Sequence, residues 1–193
     1  MPEWIGSDPA QPATPGVVLA DRLEGLEWFR DRGRVSHATV LDLGAGEGYA
    51  AAYLLDAGAD VADCVTNDAE QIATGERLWR HRPIRFWQHD LGDTGSAALA
   101  HDLLPEYDVV MALGIVHKLA DPLRLLRWAI ARTRVHLAIR VPARSFCSKR
   151  DRGGLTQYDA LAILDQHGLE VTHTPPVRVG WFAIATRPGG QYW

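Results

Sequence analysis

From residue 39 to residue 186, short apolar runs alternate with longer amphipathic stretches, and this alternation leaves few architectures open. Thr39-Val40-Leu41-Asp42-Leu43 reads as a strand, and the Ala- and Leu-rich stretch 49–56, closed by Gly58, reads as a helix. A second strand over 61–66 and a second helix over 69–80 follow; Pro83 ends that helix before a third strand at 84–87. A looser helix over 95–103 precedes the apolar strand 107–113. Asp121 as N-cap and Pro122 at the first helical position open a helix over 123–131. Next come a strand at 135–141 and a helix over 155–167, stopped by Gly168. Residues 169–173 and 179–186, on either side of Pro175-Pro176, make a closing pair of strands. Strands alternating with helices of about ten residues are βαβ units, so the fold class is α/β with a mostly parallel sheet. Strands apolar on both sides, such as 107–113, suit a sheet covered by helices on both faces.

Ahead of this region, residues 1–18 carry Pro2, Pro9, Pro12 and Pro15 and read as an extended lead. Leu19, Leu23, Leu26, Trp28 and Phe29 then recur at near-helical spacing, predicting a short amphipathic helix over 19–30. The 193 residues suit one domain, 19–193, at ~150 residues per domain. Folding a chain of this size buries roughly 70% of its surface, enough for a core without staples. Met1-Pro2-Glu3-Trp4 lacks the basic and apolar regions of a secretory leader, and no apolar run approaches the ~18 residues of a membrane span. The expectation is a soluble, cytoplasmic protein. Cys64 and Cys147 have no partner spacing and read as small buried hydrophobes rather than reactive thiols. The eight histidines form no H-E-x-x-H, so no metal is expected.

The chemistry lies in Val40-Leu41-Asp42-Leu43-Gly44-Ala45-Gly46-Glu47-Gly48-Tyr49, a strand running through a glycine turn into a helix. Without Cβ atoms, Gly44 and Gly46 let the backbone turn tightly and lie against a ligand. The turn stands at the carboxyl end of its strand, where open α/β sheets bind ligands. Tyr49 occupies the place where a dinucleotide fingerprint needs Gly or Ala, and the Gly-Lys-Ser/Thr of a P-loop is missing. What remains is an acid followed by G-x-G-x-G. The run "VLDLGAGEGY" resembles the first motif of the class I S-adenosylmethionine-dependent methyltransferases, and the likeness extends through element order from about Val40 to Arg187.

That resemblance implies a seven-stranded sheet of order 3-2-1-4-5-7-6 with the last strand antiparallel, and S-adenosylmethionine as cofactor. It implies that Asp42 lies near the methionine end of the cofactor, with the backbone of Gly44, Ala45 and Gly46 beside it. In Phe86-Trp87-Gln88-His89-Asp90-Leu91, similar to the segment after the family's third strand, Asp90 takes the adenine amine, with Leu91 beside it; a turn acid is the alternative. Ala112 and Leu113, at the end of the fourth strand, flank the methionine amine and face substrate. One departure stands out. The family ends its second strand with an acid that binds both ribose hydroxyls; counting back from Glu70 and Ile72 puts Thr66 in that place here, and counting forward from Asp42 gives Val65. A cis-diol needs two acceptor oxygens, so Asp68, helped by Asn67, is the expected replacement; a helix cap is an equal alternative for Asp68.

Ile115-Val116-His117-Lys118-Leu119-Ala120-Asp121-Pro122-Leu123 is similar to the "LGVLYHLxDPL" run of some methyltransferases, including a subgroup that acts on the wobble uridine of tRNA. The register sets His117 at the Tyr of that run and Lys118 at its His. His117 is the candidate general base, needed only if the acceptor is an alcohol or phenol; a hydrogen-bonded structural histidine is the alternative. The net charge of −4 exerts no global pull on nucleic acid, yet nine basic residues fall between Leu123 and Arg152 against one acid, Asp151. They read either as a substrate-side anion site or as a solvated face. Trp4 and Trp28 are candidates to stack on a ring in the site, with packing as the default. Nothing like Asn/Asp-Pro-Pro-Tyr follows the fourth strand, which argues against amino methylation of adenine or glutamine. The expected function is O-methylation of a small, possibly anionic acceptor. An RNA methyltransferase and a non-catalytic scaffold are the rivals.

Overall fold

The computed structural model describes residues 23–31, 33–93, 97–141, 155–177 and 180–190, without the side chains of 97, 98, 100 and 117. Seven strands form one sheet: β1 Thr39–Leu43, β2 Val61–Thr66, β3 Ile84–Gln88, β4 Tyr107–Leu113, β5 Thr133–Val141, β6 Glu170–His173 and β7 Trp181–Thr186. Their spatial order is β3-β2-β1-β4-β5-β7-β6. Strands β1 to β5 run parallel, while β7 lies antiparallel to both β5 and β6. This is the order and sense that the family resemblance implies. The helices are α1 Glu27–Arg30, α2 Tyr49–Asp56, α3 Ala69–Trp79, α4 Ala97–Asp102, α5 Pro122–Ala131 and α6 Gln157–Gln166, with a 3₁₀ turn at Val116–Lys118.

Each strand sends alternate residues to opposite faces, and both faces are covered. Leu41, Leu43, Val65, Val110 and Leu137 meet α4, α5 and α6 through Leu99, Leu126 and Leu164. Val40, Ala62, Cys64, Met111 and Phe182 meet Leu26 and Phe29 of the N-terminal segment and Ala51 and Leu54 of α2. Fully buried side chains such as Leu126 and Phe29 contribute roughly 2–3 kcal/mol each. Local signals open the helices as expected. Asp121 accepts from Arg124 N at 3.0 Å beside Pro122, and Thr156 forms a reciprocal capping box with Asp159.

Two boundaries differ from the sequence expectation for identifiable reasons. Of the helix predicted over 19–30, the described residues show Leu23 helical, a turn at 24–26 and helix again in α1. Gly25 takes φ +91, and a Cβ there would lie 2.7 Å from the Phe182 ring. Strand β5 begins at Thr133 rather than 135, because its hydroxyl donates back to Ala129 O (2.9 Å) and joins helix to strand without a loop. The lead 1–18 lies outside the described residues.

Candidate active site

The glycine turn is built by its neighbours. The N–H groups of Gly44 and Ala45 both donate to the Val65 carbonyl, at 2.9 and 3.1 Å, which ties the exit of β1 to the end of β2. Gly44 adopts φ +73, and a Cβ there would lie 2.7 Å from Ile115 Cβ, so the residue after β4 closes the other side. From outside, α3 clamps the turn. Trp79 Nε1 donates to the Glu47 carbonyl at 2.7 Å, and the Phe86 ring fills a slot between Gly48 and Gly75. Cβ atoms at those two glycines would stand 2.9 and 2.3 Å from Phe86 Cζ. Sequence reading missed this slot. Its signal was a glycine inside an otherwise good helix, which costs ~1 kcal/mol relative to Ala unless packing needs it.

Beneath the turn lies Asp42, 2% exposed and in register with Cys64 of β2 and Met111 of β4. Burial pushes its carboxyl up to about 7, against a smaller opposite effect from the Ala51 backbone N–H. Its Oδ2 is fully buried and has no hydrogen-bond partner. Leaving such an atom unsatisfied costs ~1–3 kcal/mol, so the position suits a group that arrives later. Cys64 is buried on the same face, its thiol pushed up by burial and by the nearby Asp42 and Asp63. It is a packed hydrophobe, as expected; Cys147 lies outside the described residues.

The other candidates gather at the same edge, because β3, β2, β1 and β4 are consecutive neighbours and end side by side. At the β2 exit Thr66 is 6% exposed, while Asn67 and Asp68 are exposed. Asp68 caps α3, its Oδ1 accepting from Glu70 N (2.9 Å) and Gln71 N (3.2 Å). Asn67 lends its carbonyl to Gln88 Nε2. At the β3 exit Asp90 is exposed and its Oδ1 accepts from Gly92 N at 2.8 Å, an Asx turn, and Leu91 is buried. At the β4 exit Ala112 is buried and Leu113 half-buried. His117 belongs to the 3₁₀ turn that follows; its side chain lies outside the described residues.

Residues contiguous in sequence are separated here. Strand β5 crosses the sheet, so basic residues before and along it reach opposite edges. Arg134 pairs with Asp108 (2.9 Å) at the amino edge, and Arg132 stacks on Trp128 (3.8 Å). Nearer the carboxyl edge Arg140 donates to the Glu24 carbonyl, and Arg124 lies 3.9 Å from Asp93. The described arginines therefore do not form the single substrate-side patch that sequence reading entertained; residues 144–152 lie outside the description. Trp28 lies to the side of the glycine turn, against residues of β5 and β6, which stand two and four strands from β1. It packs edge-on against Phe29 and His136 and stacks on His173, and Trp4 falls outside the described residues. Trp181 pairs with Val141 at the carboxyl end of β5. Among the described residues no group of three or more acidic, His or Cys side chains suits a metal, and no helix is long and apolar enough to cross a membrane.

A doubly wound sheet of this order, with a glycine turn and a buried acid at its carboxyl edge, defines a nucleoside-binding α/β domain. Residues 19–175 match the methyltransferase domain family, and the chain belongs to it as an S-adenosylmethionine-dependent methyltransferase. Similar solved structures include magnesium protoporphyrin IX methyltransferase from Synechocystis PCC 6803 with bound S-adenosylmethionine. It is 18% identical, with a TM-score of 0.65 over 89% of this chain and 77% of that one. A putative RNA methyltransferase from Pyrococcus horikoshii is 17% identical, with a TM-score of 0.61 over 99% and 90%. An O-methyltransferase family protein from Burkholderia thailandensis is 14% identical, with a TM-score of 0.67 over 91% and 59%. At these identities the likeness concerns the fold. No curated protein matches the chain.

Proposed function

We propose that this enzyme methylates an oxygen of a small-molecule acceptor at the carboxyl edge of its sheet. The observation that carries the reading is the unpaired, fully buried Oδ2 of Asp42 beneath the glycine turn. A carboxyl with its pKa near 7 is half-way to ionisation, so a cationic group placed beside it restores the carboxylate and supplies the missing partner. S-adenosylmethionine carries such positive charge, and when bound it supplies an electrophilic methyl group on a sulfonium.

The remaining roles belong to residues of this chain. Asp42 receives the cationic end, and Gly44, Ala45 and Gly46 keep side chains out of the path beside it. Asp90 accepts from the purine amine through the oxygen its Asx turn leaves over, with Leu91 packed behind. Asn67 and Asp68 stand at the corner nearest the ribose, and the backbone of Ala112 and Leu113 flanks the amino-acid end. Displacement at a sulfonium asks the protein mainly for alignment. A base is needed only to take the proton of a hydroxyl acceptor, and His117, just past β4, is assigned that task.

The small-acceptor reading draws on two similar folds, the magnesium protoporphyrin IX methyltransferase and the O-methyltransferase family protein. The RNA reading draws on the Pyrococcus horikoshii fold, but the described arginines point to two edges. The test is titration calorimetry with S-adenosylmethionine and S-adenosylhomocysteine, followed by tritiated-methyl transfer to panels of phenols, carboxylates and tRNA. Micromolar binding of both nucleosides, label on a small oxygen acceptor, and a fall of about 10²-fold or more in turnover for His117→Ala with binding intact support the proposal. Label on tRNA alone, with RNA affinity that falls steeply with salt, replaces it by the RNA reading. Binding of neither nucleoside leaves a scaffold and overturns it.

A further inference from the structure

In nucleoside-binding βαβ units an acidic residue about 20 residues beyond the glycine turn takes the ribose hydroxyls. Here that place is Thr66, the last residue of β2, which has one hydroxyl and no charge. The side chain that spans from this corner to the glycine turn is Gln71, on the first turn of α3. Thr66 Oγ1 donates to Gln71 Oε1 at 3.3 Å. A Cβ on Gly46 would lie 3.5 Å from the same oxygen and 4.0 Å from Gln71 Cδ, so the amide stands against the turn with no side chain between. Both partners are fixed from behind. Thr66 Oγ1 accepts from Asp68 N at 3.4 Å, and the Asp68 cap holds the Gln71 N–H at 3.2 Å. That cap commits Oδ1 of Asp68 to the end of α3, and the residue is exposed.

We propose that Gln71, supported by Thr66, recognises the vicinal hydroxyls of the bound nucleoside, a neutral amide standing where a carboxylate is usual. The inference rests on the reading that a nucleoside lies over the glycine turn. An amide offers one acceptor oxygen and two donor hydrogens, so one hydroxyl donates to Oε1 and its neighbour accepts from Nε2. A carboxylate would accept from both with charge assistance. The neutral corner therefore holds the diol less tightly than an acid would, and leaves the charge of the site to Asp42 and Asp90.

The test is titration calorimetry of wild type, Gln71→Ala, Gln71→Met and Asp68→Ser against S-adenosylhomocysteine and its 2′,3′-dideoxyribose counterpart. Wild type should prefer the diol form by about tenfold, which is about 1.4 kcal/mol. Both Gln71 variants should lose that preference by weakening for the diol form alone. Gln71→Met keeps length and packing, so it carries the test if the alanine variant fails to fold. Asp68→Ser keeps a capping oxygen and tests the rival acid at this corner; whatever its overall affinity, it should retain the wild-type preference for the diol form. Unchanged or tighter binding of the diol form by the Gln71 variants would mean that the side chain only fills the corner, and overturns the inference. An equal loss for both ligands, or a diol-specific loss in Asp68→Ser, overturns it as well. If wild type binds neither ligand, the proposed function itself fails, an outcome distinct from wild-type binding that the Gln71 variants leave untouched.

Discussion

The amino and carboxyl edges of this sheet treat their buried carboxylates in opposite ways, although Arg132 Nε near the amino edge also lacks a partner. At the amino edge Asp108 accepts from Thr39 N (2.8 Å), Thr39 Oγ1 (2.9 Å) and Arg134 (2.9 Å). His136 meets Thr186 Oγ1 at 2.9 Å, which in turn meets Thr172 Oγ1 at 2.9 Å. In mid-sheet, buried Asp63 accepts two bonds from Arg85 (2.7 and 2.6 Å), one from Trp87 (2.8 Å) and one from the Tyr107 hydroxyl (2.6 Å), and ties β2, β3 and β4 together. The carboxyl edge instead keeps a buried oxygen of Asp42 without a partner and sets an amide against a bare glycine turn. Where the polar groups satisfy one another, they stabilise the fold. Where they are left short, they are available to a ligand, at a cost in stability.

The contrast is breakable by mutation. Asp63→Ala should have the largest effect, because it leaves the Tyr107 hydroxyl and the Trp87 indole without their acceptor, while the half-exposed Arg85 guanidinium turns to water. A loss of roughly 3–5 kcal/mol in urea unfolding is expected from the two stranded donors, with nucleoside affinity per folded molecule unchanged. A loss below 1 kcal/mol would mean the network is ornamental. Asp42→Asn should act in the opposite sense. The folded carboxyl titrates at about 7 against 3.8 unfolded, so between those values only the unfolded state has released the proton. Stability therefore falls as pH rises through that window and stays low above it. The variant should equal wild type near pH 4 and exceed it by on the order of 4 kcal/mol at pH 8, while binding S-adenosylmethionine more weakly. Parallel pH profiles for the two proteins would refute a buried acid with an unpaired oxygen.

A smaller effect of reversed sign is expected at the amino edge. Burial, and then the charge of Arg34, lower the His136 pKa to about 4 from 6.5. Its neutral form is favoured by folding, so stability is complete above pH 6.5 and is lost as pH falls toward 4. Thermal melts should show that acid limb in wild type, on the order of 3 kcal/mol, and its disappearance in His136→Asn. The smallest change is Asp68→Ala, which removes the cap of α3 and should cost about 1 kcal/mol of stability. A neutral result in guanidinium unfolding would deny the cap.

Periodicity made most of the fold legible. The strand starts at Thr39, Val61, Ile84 and Tyr107 and the Asp121-Pro122 helix start are local signals, readable without knowing any neighbour. The glycine turn and Asp42 were legible as well, because tight turns and helix starts leave composition marks. The Arg run from 124 onward left two readings open, and among the described residues Arg124 and Arg134 stand at different edges, since nearness in sequence does not keep residues together when a strand carries the chain from one edge to the other. Gln71 left no mark of its own: one glutamine on an amphipathic helix looks like any surface residue.

Taken alone, the order of residues determined the α/β class, the strand and helix succession, and the place of the glycine turn, because each depends on interactions within a few residues. Only the folded chain decided that Oδ2 of Asp42 would be sealed without a partner and that Phe86 would lock between Gly48 and Gly75. It likewise decided that the Gln71 amide would stand against Gly46. Those outcomes depend on which strands become neighbours and how closely a helix approaches a turn, and no local pattern encodes such distances.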